Sequence, residues 1–277
     1  MHSHPGSVSE ATPQPPASAD GADDTQSSPI GREVRAPPVP PGRLQRIERL
    51  RTERTETEDV ILKRRSVRIY RKRQVPEFMV RRILEAGRFA PSAGNSQPWK
   101  FVVIRDLEII RGLTEATRKV AGVFNWFLNY QGSRFSWRLP LAKLFIRFKA
   151  NDLHPAPFSA IPLVADGRLD LYHGAPTVIL ILKDVRGVSN PDLDCGIAGQ
   201  NMALAAHSMG LGTCWVSFTK LAFQYGPRWR RRLGIRYPYQ FVSSLAVGFP
   251  VGEPDRMVPR PTAAVDWFED GARKSVV

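Results

Sequence analysis

The chain has 277 residues, 42% of them hydrophobic, which is enough to bury a core across one large domain or two small ones. Its net charge of +14 suits an anionic cofactor, a nucleic acid or an anionic membrane, and by itself decides among none of them. Two cysteines, Cys195 and Cys214, without partners at metal-ligand spacing exclude a disulfide framework and a zinc site, and no apolar run nears the roughly 18 residues of a membrane span.

Residues 1–42 are rich in Pro, Ser, Gly, Ala and Asp and poor in large apolar side chains. Such a segment cannot offset its chain entropy and is expected to be a disordered tail. It contains no apolar core of a secretory signal, so a cytoplasmic, reducing location is expected. His2 and His4 read as inert tail residues. Residues 43–56 are basic, with Leu and Ile spaced for one helical face, and read as a helical linker.

From residue 57 to 277 the pattern is globular, with an insertion or lid at about 121–170. Thr55 or Thr57 caps a short helix carrying Val60, Ile61 and Leu62. It leads into KRRSVR, residues 63–68. Pro76 opens a second helix, with Met79, Val80, Ile83, Leu84 and Gly87 at helical spacing. That helix ends in APSAGNSQPW, residues 90–99, before a strand over Phe101–Arg105. Asp106 caps a helix through about Lys119. The segment 121–170 mixes aromatic and basic residues and has three readings: a lid, a membrane-surface helix, or a nucleic-acid platform. A lid or packing element is adopted, because aromatics at helical spacing usually bury. Thr177–Leu182 reads as a central strand from its continuous apolar run. Asp192 or Asp194 caps a Gly/Ala-rich helix through Ser208, closed by Gly210 and Gly212 as C-cap glycines. Strands follow over Thr213–Val216 and Phe241–Val247.

The usual chemical motifs are missing. The sequence has no strand–GxGxxG–helix fingerprint, no GxxxxGK[ST], no GxSxG and no zinc spacing. His173 and His207 are single histidines on apolar stretches and read as core or surface residues. Two polar segments remain. Arg64, Arg65, Ser66 and Arg68 alternate cationic forks with a hydroxyl, which suits a phosphate, although a basic surface segment has the same composition. In the second segment Ser92, Asn95 and Gln97 offer donors and acceptors for a heterocycle edge. Ala93 and Gly94 leave room for a flat ring, and Pro91 and Pro98 stiffen the loop. An ordinary helix-to-strand turn explains the glycine and prolines but not both amides.

RRSVR followed by APSxxNxQPWxF resembles the nitroreductase family of FMN-dependent oxidoreductases. The Gly/Ala-rich helix ending in GLGTCW and the strand ending in AVGFP, with an Arg-Pro beyond it, are similar to that family too. The similarity runs from about residue 58 to 268, in the same order. It implies an α+β fold with a central, mostly antiparallel sheet flanked by helices, and a homodimer with two FMN sites, each built from both chains. Arg64, Ser66 and Arg68, with Arg65 in the same run, would form the first flavin segment. Pro91, Ser92 and Asn95, with Gln97 close behind, would come from the partner subunit. Arg260 would contact the phosphate, and Val216 and Ser217 would face the flavin N5 edge. Phe218 stands where the family commonly has glycine.

The resemblance implies ping-pong hydride transfer from NADH or NADPH, through flavin N5, to a small aromatic acceptor such as a nitroaromatic or quinone. The flavin does the chemistry, so no catalytic side chain is assigned. Reductive dehalogenation and flavin breakdown are activities of relatives with the same motifs. A non-catalytic flavin- or nucleic-acid-binding protein is the alternative from another class. No nucleic-acid partner is expected, and a weak membrane-surface contact through 121–170 stays open.

Overall fold

The computed structural model describes residues 48–50, 52–128, 140, 144, 147, 161–252, 260 and 265–276. The expectations for residues 1–42 and for most of 121–170 lie outside the described residues. The chain divides into two compact units, Met1–Glu53 and Arg54–Val277. In the first, Glu48 and Arg49 are helical and a turn follows, with the Thr52 and Glu53 amides donating to the Arg49 carbonyl at 3.2 and 3.0 Å.

The second unit opens with α1, Glu56–Lys63. Thr55, not Thr57, caps it. The Glu58 amide donates to Thr55 Oγ1 at 3.2 Å, and the Thr55 amide donates to the Glu58 carboxylate at 2.7 Å. This reciprocal pair satisfies two orphan donors. Helix α2, Glu77–Arg88, starts after Pro76 and buries Val80, Ile83 and Gly87. Strand β1, Trp99–Ile104, is followed by α3, Leu107–Leu128. Asp106 Oδ1 accepts from the Glu108 and Ile109 amides at 2.7 and 3.3 Å. Helix α3 passes the expected end at Lys119 because its buried stripe of Ile110, Leu113, Thr117 and Ala121 keeps helical spacing.

Strand β2 is Thr177–Asp184, and α4 is Pro191–Ser208. Neither Asp192 nor Asp194 caps α4. Asn190 does, its side chain accepting from the Leu193 amide at 3.2 Å. The helix can start that early because Pro191 at its first position has no N–H to satisfy. Gly210 has φ +77° and closes α4, with the Leu211 amide donating to the Ala206 carbonyl at 2.9 Å. Gly212 is not a cap. It begins β3, Gly212–Val216, where a Cβ would meet the Val67 side chain at 2.6 Å. Short helices α5, Thr219–Gln224, and α6, Pro227–Arg232, lead to β4, Tyr239–Gly248. The tail ends in a hairpin of β5, Val265–Glu269, and β6, Ala272–Val276. Asp270 and Gly271 both take the left-handed backbone that a tight hairpin turn needs.

Strands β1 to β4 form one sheet in the order β1-β2-β4-β3, and every neighbouring pair is antiparallel. Strand β2 is interior, as its apolar run predicts. Alternation sends Val178, Leu180 and Leu182 to one face, where they pack with Leu113 of α3 and Phe223 of α5. Ile179 and Ile181 face the other side, toward Ile83 of α2 and Met202 of α4. The observed class is therefore the expected one: α+β, an antiparallel sheet flanked by helices.

Candidate functional site

The basic segment is laid along the free edge of β3. After α1 the backbone turns extended at Arg64, with φ −56° and ψ 133°. The Val67 amide donates to the Thr213 carbonyl at 2.9 Å, and the Arg71 amide to the Phe249 carbonyl at 2.8 Å. Val67 and Tyr70 are buried, and the Tyr70 hydroxyl donates to the Val67 carbonyl at 2.7 Å. An extended chain alternates its faces, so Arg64, Ser66 and Arg68 share the side away from Val67. Ser66 and Arg68 are exposed and Arg64 is half-buried. Arg65 is used locally. Its guanidinium donates to the Leu62 carbonyl and, at 2.8 Å, to the Arg64 carbonyl, which closes the end of α1.

Positive charge is concentrated here. Burial, then the neighbouring Arg260 and Arg65 guanidiniums, push the Arg64 pKa below the usual arginine value. Arg260, almost two hundred residues away in the chain, thus comes within electrostatic reach of Arg64. His207, near the end of α4, is held below the usual histidine range by burial and then by Arg64, Arg65 and Lys63. His173 is lowered by burial and by Arg68. Among the described residues, no carboxylate forms an ion pair with Arg64, Arg68 or Arg260. A cavity of about 140 Å³ is lined by Arg64, Arg65, His207, Gly210, Thr213 and Pro250. Such a place favours an anion.

Val216 ends β3, Ser217 follows it, and the strand end is fixed from below by buried hydroxyls. The Ser244 hydroxyl donates to the Val216 carbonyl at 2.6 Å. Thr219 Oγ1 lies 3.2 Å from Ser244 Oγ and 2.8 Å from the Tyr172 hydroxyl. Tyr172, Thr219 and Ser244 are each 0% exposed. Burial raises the Tyr172 phenol above its ordinary range, so it stays protonated and heads the chain as a donor. Phe218 needs no glycine-like backbone. It has φ −60° and ψ −22°, and its ring packs against the core.

The second polar segment forms a tight loop between α2 and β1. Gly94, Asn95 and Gln97 have φ of 56°, 51° and 45°. The Gln97 amide donates to Ser92 Oγ at 3.0 Å, and Gln97 Nε2 donates to Asn95 Oδ1 at 3.0 Å. Pro91, Asn95 and Gln97 are exposed, while Pro98 is buried. The Ala93 amide reaches Asp194 Oδ1 at 3.4 Å, which ties the loop to the start of α4. The basic segment sits at the other end of that helix. Thirteen residues separate Asp194 from His207, about 20 Å at 1.5 Å per residue. The two segments also flank opposite edges of the sheet. Arg64, Ser66, Arg68 and Arg260 therefore gather in one chain, with Val216 and Ser217 ending the strand beside them, whereas Pro91, Ser92, Asn95 and Gln97 do not join them.

Residues 61–249 match the Nitroreductase family. The chain belongs to that family. It is 28% identical over 196 residues, 71% of this chain and 86% of the other, to an Archaeoglobus fulgidus protein with the provisional name NADH dehydrogenase/NAD(P)H nitroreductase. It is 27% identical over 211 residues to iodotyrosine deiodinase 1 of Sus scrofa, covering 70% of this chain and 61% of that protein. A nitroreductase from Desulfitobacterium hafniense, solved with bound FMN, superposes with a TM-score of 0.56 at 25% identity. The match covers 75% of this chain and 96% of that one.

Sequence reasoning passed over three features of this nitroreductase-family site. His173 and His207, read as bland, lie beside the arginines. The Tyr172–Thr219–Ser244 chain left no pattern, because its members come from three different elements. The only signal for His207 was its place one turn before the GLGTCW motif.

Proposed function

We propose that the chain is an FMN-dependent oxidoreductase that uses NAD(P)H to reduce a small flat acceptor, such as a nitroaromatic or quinone, and works as a cytoplasmic homodimer. The observation that carries this reading is the cluster of Arg64, Arg68 and Arg260 beside the free edge of β3, with no carboxylate ion-paired to it among the described residues. The donor set fits the phosphate of FMN: planar cationic forks and a hydroxyl for a dianion, beside the end of β3. Arg64, Ser66 and Arg260 would hold the phosphate. Arg68 would lie toward the ring, where a cation favours the reduced, anionic form. FMN supplies, when bound, the two-electron redox chemistry that NAD(P)H and the acceptor use in turn.

The chain's own residues supply position and charge. The buried hydroxyls hold the Val216 carbonyl, and with it the Val216–Ser217 backbone, in one place. The loop at 91–97 lies at the far end of α4, so a second copy of the chain would bring it to the same ligand. The likeness to iodotyrosine deiodinase 1 supports reductive dehalogenation as a second reading of the acceptor. A steady-state comparison of nitro, quinone and halogenated phenol acceptors separates the two.

The cofactor assignment is tested by the double variant Arg64→Ala/Ser66→Ala. It is expected to purify without flavin while keeping its thermal unfolding transition. Full flavin occupancy in this variant would remove the basis of the proposal.

A further inference from the structure

A second basic surface lies away from the Arg64 cluster. No Asp or Glu occurs between Asp194 and Glu253, and within that stretch Arg228, Arg230, Arg231, Arg232 and Arg236 fall in nine residues. All five are exposed. Among the described residues none of them forms an ion pair with a carboxylate. Helix α6 carries four of them, and the turn into β4 carries the fifth.

Two aromatic contacts fix this region along α3. Trp229 packs so closely on Gly112 that a Cβ there would meet its ring at 2.5 Å. Phe124 meets Tyr225 edge-on, with ring centroids 5.5 Å apart. Tyr225 (54% exposed) and Tyr237 (80%) flank the arginines in the chain, and Val123 (67%) and Trp126 (53%) are exposed on α3 on either side of Phe124, which meets Tyr225. On α3, Glu115 is already engaged, pairing with Arg118 at 2.9 Å. Glu108 is at the far, N-terminal end of that helix.

We infer that this face docks on an anionic phospholipid surface. Arginine supplies the attraction to lipid phosphates, and Tyr and Trp are the side chains that settle at a membrane–water interface. A nucleic acid fits less well. Four of the arginines project from a helix of six residues, about 9 Å long, and an exposed valine offers no stacking platform for a base. An acceptor dissolved in the bilayer would then reach the protein from the surface on which it rests.

The test is co-sedimentation of the full-length protein with phosphatidylcholine vesicles, with and without phosphatidylglycerol. Binding is expected only to the phosphatidylglycerol vesicles, and it should be lost on going from about 0.1 M to about 1 M salt as screening tightens. The triple variant Arg228→Gln/Arg231→Gln/Arg236→Gln leaves alone Arg232, which stacks on Trp229 at 5.2 Å. Each arginine near an anionic surface accounts for about fivefold in partitioning, so the variant should bind about a hundredfold more weakly. Its thermal unfolding and NAD(P)H oxidation should be unchanged. The inference is overturned if wild-type protein ignores phosphatidylglycerol vesicles. It is also overturned if the variant binds them as well as wild type does, or if a DNA or RNA duplex binds at tenfold lower protein concentration than the vesicles.

Discussion

At the scale of single residues, the buried hydroxyls under β3 have a defined direction. Tyr172 donates to Thr219, Thr219 to Ser244, and Ser244 to the Val216 carbonyl. Tyr172→Phe removes one hydrogen bond and should cost about 1 kcal/mol in urea unfolding. Thr219→Val should cost more, about 1–3 kcal/mol, because it strands a buried phenol. His173 and His207 give a pH signature. Burial, then their arginine neighbours, hold both below the ordinary value of about 6.5. The unfolded chain therefore binds protons that the fold resists. Stability is full above about pH 6.5 and falls as pH drops through the folded values. Carboxylates such as Glu77, Glu85 and Glu115, lowered by hydrogen bonds from Arg81, Arg88 and Arg118, titrate further down. A melting series across this range should lose part of its slope in His207→Gln. The thiols are inert by comparison. Burial pushes Cys195 up to about 12 and raises Cys214, so neither should react with a thiol reagent at neutral pH before unfolding.

At the scale of elements, α4 organises the fold because its small residues let the sheet come close. A Cβ on Gly199 would meet the Trp215 ring at 2.2 Å and Ile181 at 2.7 Å, whereas nothing lies within 4 Å of one on Gly196. Gly199→Ala should destabilise the protein by about 1–3 kcal/mol. Gly196→Ala should be neutral or gain up to about 1 kcal/mol from helix propensity. Paired urea titrations compare the two directly. Gly212 performs the same service for the extended segment after α1, which rests Val67 against it. The GLG at 210–212 thus does two jobs that spacing alone could not separate: a left-handed helix stop and a close strand approach. The caps show a similar limit. Asp106 caps as its position predicts and Thr55 is one of the two threonines expected, but Asn190 caps α4 in place of Asp192 or Asp194. Only the backbone shows that Pro191 lets α4 begin earlier, leaving Asp194 free to hold the Ala93 amide.

At the scale of the whole molecule, the two polar segments flank opposite edges of one sheet. If two chains complete each site, broken sites should complement each other. Arg64→Ala/Ser66→Ala and Asn95→Ala/Gln97→Ala would each lack flavin alone. Unfolded together and refolded as a mixture, they should regain flavin in about one site in four, because half of the random dimers hold one intact site of two. No recovery would mean that both segments serve a ligand within one chain or that Asn95 and Gln97 serve none. The N-terminal unit, Met1–Glu53, is separable by its contacts. We propose that Arg54–Val277 folds without it, and a chain lacking residues 1–53 should melt within a few degrees of the full protein. Among the described residues, no helix is long and apolar enough to cross a membrane.

The sequence by itself determined the class of fold, the order of the principal helices and strands, the interior place of β2 and the two polar segments. The class of fold follows from the family resemblance that the short motifs carry, and the rest from local periodicity, which is written within a few residues. Tertiary structure alone decided that His207 and His173 stand near arginines. It also decided that Arg65 turns back on its helix and that hydroxyls from three elements join beneath Val216. These depend on contacts between residues far apart in the chain, and such contacts exist only once the sheet and its packed helices have set the distances.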